Sequence, residues 1–186
     1  MEKLPTQEKS EKEKHWQKII AKVETITDKL GKPIDEGIKE SIIALTVFDI
    51  NTDQSCEGHL DHGLPSPWIS FDAKENEELW KKLKEVTKKE DKEEDAQIRM
   101  VIHKNEIAER KKLMPFLDEF YMDRHVPYDR GLIITSARRN TLESQGAGIL
   151  EVESDKSKKR IKMQEYQEEM KAFTDFLKRK YFEIGN

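Results

Sequence analysis

Two runs of apolar residues at alternating three- and four-residue steps, one near each end, constrain this chain more than any other feature. Trp16, Ile19, Val23, Ile26 and Leu30 form the first, widened by Ile20. Met163, Tyr166, Met170, Phe173 and Leu177 form the second, with Phe176 and Tyr181 beside it. Steps of 3, 4, 3, 4 keep to one face of an α-helix. They predict long charged helices over about 11–30 and 154–182. Gly31 and Pro33 are expected to end the first, glycine by closing the C-terminal turn and proline by refusing to continue it. Each seam lasts only about two heptads, short of the three or four that mark a coiled coil. Packing within a domain is therefore the first expectation, and oligomerisation through the seams is an alternative.

With 186 residues the chain suits one domain. Residues 1–10 are polar and contain Pro5, which reads as a disordered tail. The rest, 11–186, reads as a single α+β unit. Hydrophobic residues make up 35% and charged residues 39%, which favours helices with a narrow apolar stripe. The net charge of −4 gives no whole-chain attraction to nucleic acid or anionic lipid. The one cysteine excludes an internal disulfide, so a reducing cytoplasm is the expected setting. No apolar leader opens the sequence and no run of 18 apolar residues occurs, so neither a signal peptide nor a membrane partner is expected.

Between the two seams the pattern alternates. An apolar helix is predicted over about 34–49, with Ile34, Ile38, Ile42, Leu45 and Phe48 on one face. Helices follow over about 72–90 and 94–113, separated by a solvated charged linker at 87–95. Pro115 is expected to start or kink a further short helix. Strands are predicted at 67–71, at Gly131–Ala137, where β-branched residues concentrate, and at 141–150. Arg138, Arg139 and Asn140 read as the hairpin turn between the last two. The sum is an α+β fold with a small antiparallel sheet of about three strands.

The residues able to carry chemistry gather in Asp53–Phe71, DQSCEGHLDHGLPSPWISF. Cys56, His59 and His62 stand at C-x2-H-x2-H spacing. Sulfur and imidazole are good zinc ligands, and catalytic zinc keeps three protein ligands plus water. Asp53, Glu57 and Asp61 add carboxylates. Alternatively, a histidine beside Cys56 could lower its pKa and make it a nucleophile. A third reading makes Cys56 a small buried apolar residue near a binding cleft. The cleft would be lined by Ser55, Cys56, Glu57, His59, His62 and Trp68, with Arg138 and Arg139 approaching across the sheet.

Thr52, Ser55, Cys56, Gly58 and His59, read as T-x-x-S-C-x-G-H and followed by a Pro-aromatic-Ile strand, resemble a motif of small uncharacterised bacterial and phage proteins. The likeness covers about 38–71 and implies a shared fold without a particular activity. The turn is also distantly similar to the S-C-S-G-R turn of wybutosine-synthesis tRNA methyltransferases. His59 stands in place of that Arg and Glu57 in place of the middle Ser.

Phosphate or nucleic acid is a candidate partner for Arg138 and Arg139, and for Lys156, Lys158, Lys159, Arg160 and Lys162 at the start of the last helix. Cations there oppose the helix dipole, a placement that calls for an explanation. The function expected from sequence is a cytoplasmic binding or interaction protein with its cleft at the 55–59 turn. The alternatives are a small enzyme using Cys56 and His59, with or without zinc, and a helical oligomerisation module.

Overall fold

A computed structural model describes residues 10–136 and 139–183. The tail expected over 1–10 therefore lies, except for Ser10, outside the described residues, as does Arg138. Helix α1, Glu11–Glu24, starts in a capping box. The Ser10 hydroxyl accepts the Glu13 N–H at 3.2 Å while the Ser10 N–H donates to the Glu13 carboxylate at 2.7 Å. Trp16 and Val23 are buried, but the helix stops well before Gly31. Asp28 Oδ1 accepts the backbone N–H groups of Leu30 and Lys32, each at 2.8 Å, and holds a turn instead. The seam consequently ends at Val23, and Leu30 is 80% exposed.

Helix α2, Glu36–Thr46, buries Ile38, Ile42, Ile43, Ala44 and Leu45. It packs on α6, Lys156–Glu183, which presents Tyr166, Met170, Phe173, Phe176 and Leu177. Ser41 and Thr174 share a buried hydroxyl–hydroxyl hydrogen bond of 2.7 Å at this contact. These residues join Ile69, Phe71, Leu132 and Leu142 of the sheet in the main core.

Among the described residues the sheet has four strands rather than three: β1 Thr52–Cys56, β2 Trp68–Phe71, β3 Leu132–Thr135 and β4 Asn140–Ser144. Their order is β1-β2-β4-β3 and every pairing is antiparallel. The extended segment at 52–56 supplies the additional strand. The strand expected to reach residue 150 ends at Ser144. There the Gly146 N–H turns away to the Asp129 carbonyl at 2.7 Å, and a short helix α5, Ala147–Val152, follows.

Helices α3, Asn76–Lys88, and α4, Lys92–Tyr121, form a hairpin with its own small core of Leu83, Val86, Ile98 and Ile102. The charged run at 87–95 is solvent-exposed over residues 87–93, as expected. It is the end of α3, a tight turn with Glu90 at φ 58°, and the first turn of α4, capped by Asp91. Pro115 neither starts nor ends a helix: α4 runs through it. Pro115 and Lys111 are both exposed, so the carbonyl that a proline leaves unpaired lies on the solvent side.

One buried carboxylate fastens the 123–131 loop to the helices. Glu169, fully buried on α6, accepts from the Tyr121 hydroxyl at 3.0 Å, from Arg124 Nε and Nη2 at 3.1 and 2.8 Å, and from Arg130 Nε at 2.9 Å. Burial raises its pKa, but the Arg124 and Tyr121 hydrogen bonds and the arginine charges outweigh burial and leave it lowered.

Candidate functional site

The chain leaves β1 at Cys56 and folds back to β2 through 57–67. Gly58 makes the first bend at φ +90°, buried against Pro65 and Pro67. A Cβ there would lie 3.0 Å from the Pro65 carbonyl oxygen, so both conformation and space require glycine. Pro65, Ser66 and Pro67 are buried beneath it, and the His59 N–H closes the loop on the Leu64 carbonyl at 2.9 Å.

This fold brings Cys56 and His59 together with a residue that sequence spacing did not select, Asp35. One carboxylate oxygen of Asp35, the Cys56 sulfur and a His59 ring nitrogen all lie within 4.8 Å of one another. Asp35 Oδ2 stands 3.2 Å from His59 Nε2 and accepts the Glu57 N–H at 3.2 Å. His62 is not the third member. Its ring stacks on that of His59 with centroids 4.1 Å apart, and its Nδ1 meets Asp61 at 2.7 Å. His59, Asp61 and His62 form a second, more exposed donor group that shares His59 with the first.

Burial pushes the Cys56 thiol pKa up. The Gly58 N–H on the sulfur, at 3.4 Å, works against this, and the nearby Asp35 charge adds to it. Glu57 serves the scaffold. Its carboxylate accepts the Gly37 N–H at 2.6 Å, and its carbonyl accepts from the Gln167 side chain at 2.9 Å. Asp35 occupies the N-cap position of α2 without a side-chain capping bond, and Glu57 caps the helix from 20 residues away.

Other expected cleft residues lie apart from this cluster or serve the sheet. Trp68 is the cross-strand neighbour of Cys56, half-buried, with its indole N–H lacking a partner among the described residues. Ser55 pairs with Ile69 in the ladder. Arg139 is at the opposite end of the sheet. Thr52, Phe71 and Asn140 form one row of partners, while Cys56, Trp68 and Glu143 form another. The rows are separated by roughly 10–13 Å of strand. Arg139 pairs with Asp53 and lies over the Trp80 ring at 6.0 Å, so it does not reach the 55–59 turn. Its neighbour Trp80 donates to the buried Asp72 at 2.9 Å.

The basic start of α6 also has internal partners. Lys162 pairs with Asp129 and Glu165, each at 2.8 Å, and Lys159 donates to the Glu151 carbonyl at 3.1 Å. Asp155 accepts the N–H groups of Ser157 and Lys158, supplying negative charge to the helix end that the cations oppose. Lys156, Lys158 and Arg160 remain exposed. No helix among the described residues is long and apolar enough to cross a membrane. The chain matches no protein-family model, no curated protein and no solved structure.

Proposed function

We propose that this chain is a metal-binding protein whose Asp35, Cys56 and His59 hold a thiophilic divalent cation, zinc in the first instance. The observation that carries this reading is the convergence of one oxygen, one sulfur and one nitrogen donor from two elements within 4.8 Å. Zinc takes these three donor types at about 2.0–2.3 Å, so tetrahedral neighbours stand roughly 3.3–3.7 Å apart. The 3.2 Å between Asp35 and His59 is close to that spacing, and the Cys56 sulfur lies within 4.8 Å of both. The Glu57 N–H already orients the Asp35 carboxylate, as partners behind a metal ligand do.

The thiol chemistry favours a cation over a metal-free nucleophile. A reactive cysteine needs a lowered pKa. Burial and the Asp35 charge move this one the other way. A divalent cation supplies the positive charge that holds a thiolate there, with release of a proton. The bound ion would tie the start of α2 to the 57–67 loop.

Cobalt(II) titration of chelator-treated protein tests this directly. Stoichiometric binding with a thiolate-to-cobalt charge-transfer band is expected, abolished in Cys56→Ser and weakened in Asp35→Asn. Zinc at about 100 times its dissociation constant should stabilise the fold by about 2.7 kcal/mol. A cobalt spectrum without thiolate absorption, together with zinc-independent melting, overturns the proposal.

A further inference from the structure

The two edges of the sheet are treated differently. β1, at one edge, is interrupted by a bulge between Thr52 and Gln54 and carries Asp53 and Gln54 on its exposed side. Bulges and charges are the usual means of preventing another strand from pairing with an edge. β3, at the other edge, reads Leu-Ile-Ile-Thr, with no charge, proline or bulge.

The hydrogen-bond phase of β3 shows which of its groups face outward. The Leu132 N–H donates to the Tyr121 hydroxyl at 2.8 Å, away from β4. Alternation along an antiparallel strand then turns the N–H and C=O of Ile134 outward as well. Neither has a partner among the described residues. Beside this edge runs a groove of about 530 Å³ between β3 and α4, floored by Leu117, Leu132 and Ile134. Met114 stands on its wall, 46% exposed. Arg110 and Asp118 lie one turn to either side of Met114, and Asp118 has no partner among the described residues.

We propose that the β3 edge and the α4 groove bind an extended peptide by strand addition, with an acidic, an apolar and a basic side chain at alternate positions. The spacing fits. Arg110, Met114 and Asp118 recur every four residues, about 6.0 Å along a helix. Alternate side chains of a strand recur every 6.6–6.8 Å, approximately. The helix runs antiparallel to β3, since Tyr121 meets Leu132 while Arg110 meets Asn140. A peptide antiparallel to β3 therefore passes Arg110 first and Asp118 last, giving the order acid-x-apolar-x-base. Main-chain hydrogen bonds to the outward N–H and C=O of Ile134 supply affinity, since Tyr121 already holds the Leu132 N–H, and alternate side chains supply selectivity. Methionine suits such a wall because its flexible thioether fits varied apolar partners.

The test is fluorescence polarisation of the full chain with the labelled heptapeptide SEVIVKS. Saturable binding is expected. The side chains facing α4 belong to residues whose N–H groups face β3, so N-methylation of the isoleucine abolishes binding and N-methylation of either valine does not. Asp118→Lys should weaken binding by about two- to fivefold, and the peptide SEVIVES should recover it. Asp118 is exposed, so this variant keeps the fold. Absence of saturation up to about 1 mM peptide, or equal binding of the N-methyl-isoleucine form, overturns the proposal. So does a stable dimer of the chain that the peptide cannot dissociate, which would make a second copy the occupant.

Discussion

Replacing Glu169 by alanine tests whether one buried carboxylate holds the 123–131 loop to the helices. Glu169 is fully buried and accepts four hydrogen bonds, three of them from arginine. Removing one partner of a buried ion pair costs about 3–5 kcal/mol, because the remaining charge is left in the protein without compensation. Here the stranded charges are only partly buried. The Arg124 side chain is 36% exposed and that of Arg130 is 24% exposed, so both can recover some hydration. This places the expected loss at the lower end, about 3 kcal/mol. Urea denaturation is the assay. With a slope of about 2 kcal/mol/M the midpoint should fall by about 1.5 M, with the slope unchanged. A fall of less than about 0.5 M at constant slope would mean that water replaces the carboxylate without penalty, and the reasoning fails.

The same carboxylate predicts a pH dependence. Its pKa in the folded protein is lowered, so it contributes stability above the unfolded-state value of about 4.3. That contribution is lost as pH falls through the lowered folded-state value. The stability difference between wild type and Glu169→Gln should therefore be constant from about pH 6 upward and shrink in acid. A difference that grows in acid refutes the assignment.

Gly146→Ala should destabilise the fold by about 1–3 kcal/mol. The new Cβ would lie 2.9 Å from the Asp129 carbonyl oxygen and collide with the Tyr166 hydroxyl, which thermal melting will register. Glu57→Ala should cost about 1 kcal/mol in chemical denaturation, as for loss of a helix cap. It should weaken cobalt binding more visibly, because Asp35 becomes free to cap its own helix.

What the sequence made legible was whatever depends on local periodicity. The 163–177 seam became the buried face of α6, and the β-branched run at 131–135 became β3. One failure has a local cause and the others have tertiary ones. The Trp16–Leu30 seam was overrun at Asp28, where a side chain took the backbone donors that a helix needs. The sheet gained a strand because Thr52–Cys56 pairs with β2, a choice made by tertiary packing. Cys56 and His59 could be picked out as neighbours across a glycine turn. Arg139 was misplaced because the end of the sheet it occupies depends on β4 pairing with β2 as well as β3.

Asp35 was the least legible residue of the cluster, and the reason bears on what it is for. At the start of an apolar helix an aspartate reads as a cap, and nothing in the sequence says otherwise. In the fold, the capping bond goes to Glu57, a carboxylate from the far side of the turn. Asp35 is left facing a thiol and an imidazole. An aspartate at an N-cap can satisfy its own helix at no conformational cost. Asp35 Oδ2 accepts the Glu57 N–H and meets His59 Nε2 at 3.2 Å, so the carboxylate has partners of its own beside a thiol whose pKa it raises. The exchange of roles between the two acids is therefore what leaves Asp35 beside Cys56 and His59, the arrangement on which the proposed metal site depends.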